Sequence, residues 1–449
     1  MINQIKNSWH VILLCLICHY YSKAQTVYSV DQLIDAAKKN SHQLNIKQYQ
    51  ILEKTSKLHE DGIKRYPSVA LDGNYQYNFK LPDITIPAGT IGMINTGNGT
   101  EQLLPAQDSK FTLGEKGNYN VGVNLYQPIT QQAKLATAMA IDQTDIQIGK
   151  QESAQTALQL KLQVEQLFYG ALILRKTSES GKLRIELAKA KLADGEASRM
   201  AGTSTAAGLA GLRADIANEE QALMKIDLQL QDYLSEISSL TAIDLQKLNL
   251  QEPVLNEKVT PINDSRSSAM LNPDFEIARL NKEKALLGIK AIKRSNLPDF
   301  GIVAGYYRQQ GNPILPISSP YVGVSLKWNL QDLFTNREVQ NQRQAQLKQA
   351  EENMAYTQQQ IGLSVNRLSR KVAQCNALIT AASKAVAFRK DELMEQQNRL
   401  TAGFEIKTVI LETKVKLAQA ETDLYSAKLQ QAIAIAELEN IVGKNKLEN

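Results

Sequence analysis

VALDGNYQYNF, residues 69–79, decides how this chain folds. Val69, Leu71, Tyr75, Tyr77 and Phe79 alternate with Ala70, Asp72, Asn74, Gln76 and Asn78, a period of two that puts apolar groups on one face and polar groups on the other. The stretch is a two-faced β-strand, about 68–79, set between segments that read as helix. Three more strands share the pattern, at about 118–127, 299–308 and 320–329. Tyr119, Val121, Val123 and Leu125 oppose Asn118, Asn120 and Asn124; Val322, Val324, Leu326 and Trp328 oppose Ser325, Lys327 and Asn329. Alternation alone fits either a soluble sheet with one buried face or lipid-facing strands whose polar side lines water. A length of about ten residues matches the second, as do the aromatic residues near the strand ends, Tyr66, Phe79, Tyr126, Tyr306, Tyr321 and Trp328, which resemble the interfacial girdles of membrane strands, but the strand pattern by itself leaves both readings open. Four strands cannot close a membrane barrel, which needs about eight, and open edges are forbidden in lipid. A barrel of such strands is shared between subunits.

Outward from the strands the chain repeats itself. An X-Pro step leads into each hairpin, Tyr66-Pro67 and Leu297-Pro298, and Gly122-Val123-Asn124-Leu125 and Gly323-Val324-Ser325-Leu326 each close a strand that leads into a long helical pattern. The first repeat covers 25–242, with a helix at about 30–64, a hairpin at 67–128, a long helix at 131–197 and a helix at 206–240. A connector, 243–263, holds Pro253 and Pro261. The second repeat, 264–449, has a helix at about 264–293, a hairpin at 298–330, a long helix at 334–400 and a helix at 405–442. Each long pattern ends near a Leu-x-x-Gly turn, Leu192-Ala193-Asp194-Gly195 and Leu400-Thr401-Ala402-Gly403. Between the first two strands, Leu81 to Lys116 is a Gly-, Pro-, Asn- and Thr-rich stretch of the kind found in long outward loops.

Apolar residues of the second long helix step by threes and fours from Leu347 through Ile361, Val365, Leu368, Val372, Cys375 and Val386 to Leu400, a coiled-coil seam with one stutter at 361–365. The first long helix has a weaker seam in Leu160, Val164, Leu167, Ala171, Leu174, Ile185, Ala188 and Leu192. At 1.5 Å per residue each helix extends on the order of 100 Å, so each repeat pairs one rod with two stacked half-rods.

The first 24 residues read as an export signal: Lys6, the apolar run Val11 to Cys18, and the small-x-small site Ser22-Lys23-Ala24 before Gln25. Cys15 and Cys18 follow the bulky Leu14 and Ile17, which argues against lipidation. Without this segment the net charge of +5 falls to +3, and near-neutrality gives no reason to expect nucleic acid. Cys375 is then the one remaining cysteine, so no intramolecular disulfide forms.

In these elements and their order the chain resembles the TolC family of outer-membrane efflux ducts. Tyr66-Pro67-Ser68-Val69 resembles the family's entry to its first strand, Leu125-Tyr126-Gln127-Pro128-Ile129 its strand-to-helix exit, and Leu400-Thr401-Ala402-Gly403 through Val409-Ile410-Leu411-Glu412 its inner tip turn. The resemblance implies a mainly helical chain with a membrane β-barrel: a homotrimer whose four strands per subunit make a twelve-stranded barrel in outer-membrane lipid, on a long helical tunnel in the periplasm. It also implies a periplasmic adaptor and an inner-membrane transporter as partners. By motif position Glu412 falls on one of the acids that constrict the family's tunnel as charged rings, while Val409 takes the place of the other. Docking of the adaptor is expected at the tips, around Gly195, Gly202, Gly403, Phe404 and Lys407. The second repeat departs from the pattern at Trp328-Asn329-Leu330, where Gln-Pro-Leu is usual, which puts the local bend in question.

No enzyme chemistry is expected, and no cofactor or metal. His42 and His59 lie 17 residues apart on one expected helix, not at i, i+4. Cys375 sits in an apolar seam, and the glycines around 92–99 lack the Lys-Ser/Thr of a phosphate loop. The competing reading is a secreted periplasmic coiled-coil scaffold or adaptor without a pore. It explains the seams and the leader but not two matched hairpins flanked by aromatics.

Overall fold

The computed structural model describes residues 27–95, 97, 101–253, 271–312, 315–404 and 406–443. The expected leader, the end of the connector and the start of the helix expected at 264 lie outside these residues. In chain order the elements are β1 (Val27–Tyr28), α1 (Val30–Asn40), α2 (His42–Ile63), β2 (Ser68–Tyr77), β3 (Asp83–Ile86), β4 (Gly92–Asn95), β5 (Glu101–Leu104), β6 (Ser109–Thr112), β7 (Gly117–Pro128), α3 (Gln131–Met200) and α4 (Ala206–Thr241). A 3-10 turn at Leu245–Lys247 and β8 (Asn249–Leu250) precede α5 (Pro273–Ser295), β9 (Asp299–Gln310), β10 (Ser318–Lys327), α6 (Gln331–Thr401) and α7 (Lys407–Val442). Internal contacts divide the chain into two units, one of Met1–Gln50, Ile148–Arg279 and Glu352–Asn449, the other of Ile51–Gln147 and Leu280–Glu351.

In the first unit the core forms around α3. Val164, Leu167, Phe168, Ala171 and Leu172 are enclosed by Leu33, Ile34 and Ala37 of α1, Ile237 of α4, Leu250 of β8 and Leu429 of α7. Helix α1 enters through a capping box, in which the Ser29 hydroxyl accepts from the Gln32 amide at 3.3 Å and the Gln32 side chain accepts from the Ser29 amide at 3.0 Å. The single helix expected over 30–64 is two: Ser41 is extended (ψ 109°), and its hydroxyl accepts from the Leu44 amide, ending one helix and capping the next. The connector is more than a linker. Its β8 pairs in parallel with β1, Val27 opposite Asn249 and Tyr28 opposite Leu250, and a two-residue strand is too short to show any period in sequence.

The expected seam on α6 is plain in its burial. None of the seam residues named above, from Leu347 to Leu400, is exposed. Ile361, Val365 and Leu368 pack on Leu438 and Val442 of α7, with Phe275 of α5 against them, and burial pushes the Cys375 thiol up within the same seam.

The second unit holds a four-stranded antiparallel sheet in the order β10-β9-β7-β2. The two expected hairpins, β2–β7 and β9–β10, join through β7 and β9, with Val123 opposite Tyr306 and Leu125 opposite Ala304. In the stretch read as an outward loop, β3 pairs with β6 and β4 with β5. These four-residue strands are too short and too interrupted by glycine and proline to stand out in sequence. At the strand-to-helix joint, the Thr130 hydroxyl donates to the Pro298 carbonyl at 2.9 Å and accepts from the Phe300 amide at 2.8 Å, while Lys134 reaches Asp299 at 2.6 Å. The questioned bend of the second repeat is made by Asn329, which accepts from the Gln331 amide and donates to Asp332 at 2.7 Å, capping α6 without a proline.

Candidate functional site

Two regions bear on function: the faces of the sheet and the two helix tips. Strand register puts Val69, Leu71, Tyr75 and Tyr77 of β2 on one face with Tyr119, Val121, Val123 and Leu125 of β7, Ile302, Ala304 and Tyr306 of β9, and Val322, Val324 and Leu326 of β10. In a single chain this apolar face is bare. Leu71 is 75% exposed, Val322 79% and Val324 75%, so nothing among the described residues of this chain buries the face. A patch of this kind marks contact with lipid or a partner.

The opposite face carries Ala70, Asp72, Asn74, Asn118, Asn120, Asn124, Ser319 and Ser325, and also three tyrosines, Tyr126, Tyr307 and Tyr321. Tyr126 and Tyr321 therefore leave the lipid-facing girdle. Their rings lie over glycines of β9, Tyr126 over Gly301 and Tyr321 over Gly305, where a Cβ would stand 2.7 Å from the Tyr321 ring. Tyr306 stays on the apolar face, with Tyr75, Tyr77 and Tyr119, which the sequence reading did not place in the girdle. Parity counted strand by strand, from Val69, Val121, Ile302 and Val322, would have sorted all of them. Tyr66 and Phe79 flank β2 and are exposed, Phe79 edge-on to Tyr77 at 5.5 Å. Trp328 follows β10 and donates to the Asn296 carbonyl at 3.3 Å.

The two tips are built alike. After α3 the Gly202 amide donates to the Arg199 carbonyl and the Thr203 amide to the Ser198 carbonyl; after α6 the Gly403 amide donates to Leu400 and the Phe404 amide to Arg399. Gly202 (φ 76°) and Gly403 (φ 79°) take the left-handed conformation that ends a helix in a 6→1 turn. The first turn is thus at Ala201-Gly202 and not at Leu192–Gly195. Helix α3 runs through Gly195, where a Cβ would meet Leu212 at 2.6 Å and Leu209 at 3.2 Å, so Gly195 serves close packing of α3 on α4. The common signal was Ala-Gly followed three residues later by the cap of the next helix, at Thr205 and Ile406. At the tips Met200 is 85% exposed and Phe404 78%, and Ile406 and Lys407 are also exposed.

Val409 and Glu412 lie in the first turns of α7, Val409 half-buried and Glu412 with 42% of its side chain exposed. Lys416 and Lys191 stand 3.8 and 4.0 Å from the Glu412 carboxylate. The Thr408 hydroxyl bonds Asp194 of α3. His42 and His59 are exposed on α2.

Buried charge lies elsewhere. In the first unit Lys161 of α3 bonds Glu439 of α7 at 2.8 Å and stands 3.8 Å from Glu165. Burial pushes the Glu165 carboxyl up to about 7, against the pull of Lys161. In the second unit, burial and the contact with Asp61 raise Asp142, while the bond from Lys64 lowers Asp61.

The outer membrane efflux protein family is matched over residues 266–444. No curated protein sequence matches the chain. Among solved structures, the outer membrane protein VceC of Vibrio cholerae superposes with a TM-score of 0.70 at 14% identity, covering 92% of this chain and 96% of that one. The CmeC outer membrane channel of Campylobacter jejuni gives 0.70 at 14% identity over 94% and 87%. The MtrE outer membrane channel of Neisseria gonorrhoeae gives 0.68 at 14% identity over 94% and 91%. The fold is TolC-like over nearly the whole length.

Proposed function

From the match of residues 266–444 to the outer membrane efflux protein family, together with the fold, we infer that this chain forms a homotrimeric duct that conducts passively from a periplasmic adaptor and an inner-membrane transporter to the exterior. It is an outer-membrane efflux channel and not an enzyme. The observation that carries the assembly is the sheet: one bare apolar face, one polar face, and unpaired edges at β2 and β10. Lipid does not tolerate such edges, so copies must pair β2 to β10. Two copies would make eight strands, a barrel whose interior side chains fill; three make twelve and leave a lumen. The helices then lie in the periplasm.

At the tips, the exposed Met200, Phe404 and Ile406 around the Gly202 and Gly403 turns give the adaptor an apolar surface, with Lys407 beside it. Three Glu412 carboxylates would converge as the constricting ring, each partly balanced by Lys191 and Lys416, and Val409 in place of a second acid makes that ring a weak filter. The decisive measurement is the mass of the protein extracted from outer membranes in mild detergent, corrected for bound detergent. Three copies per particle are expected. A soluble monomer or dimer, absent from the membrane fraction, would overturn the duct and restore the pore-less scaffold.

A further inference from the structure

The polar face of the sheet has an uneven distribution of charge. By register, its rows run Ser68–Tyr126–Val303–Gly323, Ala70–Asn124–Gly305–Tyr321, Asp72–Gly122–Tyr307–Ser319 and Asn74–Asn120–Gln309. Asp299 and Lys327 face each other at one end of the sheet, and Lys134 also holds Asp299. With one acid against two lysines, that end row carries no net negative charge. In the body of the face the one charged residue is Asp72, midway along β2, and it has no ion pair among the described residues.

A relay across the strands fixes its surroundings. Because Gly305 has no side chain, the Tyr321 ring lies down across β9, and its hydroxyl donates to the Asn124 Oδ1. An amide that accepts on its oxygen turns its NH2 the other way, and the Asn124 Nδ2 donates to Asp72. The carboxylate is thereby held by a neutral partner, which orients it without cancelling its charge.

We propose that Asp72 is a charge filter in the barrel lumen, a specificity-determining residue separate from Glu412, through which three copies favour cations and cationic cargo over anions. The proposal rests on the duct reading, which turns the polar face to water. A twelve-stranded barrel with strands about 4.8 Å apart and tilted about 40° has a radius on the order of 12 Å. Screening lengths are roughly 30 Å at 0.01 M salt and 3 Å at 1 M, so the three carboxylates act across the whole lumen in dilute salt and only near the wall in concentrated salt.

The test is the reversal potential of the purified full-length protein in planar bilayers under a KCl gradient, in a Cys375→Ala background. Cation preference is expected to fall roughly twofold or more in Asp72→Asn at low salt, with the difference vanishing near 1 M. Asp72→Cys should behave like Asp72→Asn, and an anionic methanethiosulfonate added to the bath should restore the preference, while a cationic one lowers it further. A folding defect would not produce restoration by reagent charge. Channels whose selectivity ignores both the substitution and the reagents overturn the filter and leave the duct intact. Absence of channels from the unsubstituted protein overturns the duct, and the filter with it.

Discussion

Helices α3 and α6, with 70 and 71 residues, occupy matching places in the two repeats and yet bury themselves differently. Within the first unit, between Leu160 and Gly181 of α3 only Gln163, Gln166 and Glu179 are exposed, because α1, α4, β8 and α7 close around it. Along its length α6 buries one seam, and Tyr356, Leu363, Leu378, Phe388 and Met394 remain exposed on its flanks. The difference explains why the sequence shows a clean step of threes and fours in α6 and a blurred one in α3. A helix packed on one side displays a stripe; one packed on several sides has none to display. It also separates two kinds of packing, one closed around the helix and one that leaves its flanks open.

The largest expected effect follows from that enclosure. Phe168, 1% exposed, is surrounded by four elements that cannot all collapse onto a void, so Phe168→Ala should cost about 3–5 kcal/mol. Leu368 of α6, 6% exposed, sits in a seam with open flanks, and Leu368→Ala should cost about 2 kcal/mol, the low end for its type. Urea unfolding followed by far-UV circular dichroism measures both. Equal losses would mean that the seam is as tightly supported as the enclosed core, and the contrast between the helices would fail.

The enclosure of α3 also traps charge. Glu165 is 8% exposed, its Oε2 has no hydrogen-bond partner, and it faces Lys161 on its own helix, Glu439 on α7 and Asp31 and Lys38 on α1. With one lysine between two acids and burial added, its carboxyl is raised from an ordinary 4.5 to about 7. Below pH 4.5 the group is protonated in both folded and unfolded chains and costs nothing. As pH rises from there to about 7, the unfolded chain releases the proton first, so stability falls across that window. Glu165→Gln should remove this fall and stabilise the protein at pH 8 by on the order of 2 kcal/mol. A pH–stability profile unchanged by the substitution would show that Lys161 already compensates the charge.

How much of this was legible in the sequence depended on how many neighbours each residue has. Strands such as VALDGNYQYNF, with one face bare and one polar, showed their period directly. Tyr126 and Tyr321 were misplaced because aromatic identity outweighed parity: they alternate with Leu125 and Val322 and so had to lie on the other face. Gly195 was read as a turn, although its lack of a side chain serves packing against Leu209 and Leu212. The pairing of β1 with β8 joins residues more than 200 positions apart over two residues, and no local pattern records that. Glu412 was reachable only through resemblance, since a charge on a helix looks the same whether or not three copies bring it to an axis. The relay of Tyr321, Asn124 and Asp72 needed the register of four strands at once.

The smallest expected effect tests where the two helices agree. Gly202 and Gly403 close identical turns at φ 76° and 79°, and a Cβ added at either would meet nothing within 4 Å. The cost of alanine there is then purely conformational. The left-handed region costs an L-residue roughly 1–2 kcal/mol, and the stiffer unfolded chain gives back about half a kcal/mol. Gly202→Ala and Gly403→Ala should therefore each lose about 1 kcal/mol in urea, and by the same amount. The measurement is sharpest as a ratio, because the mild loss common to both cancels. If Gly403→Ala lost clearly more, the second turn would be held by contacts that an isolated chain does not have, and the difference between α3 and α6 would extend to their ends: α3 complete within the subunit, α6 completed by its neighbours.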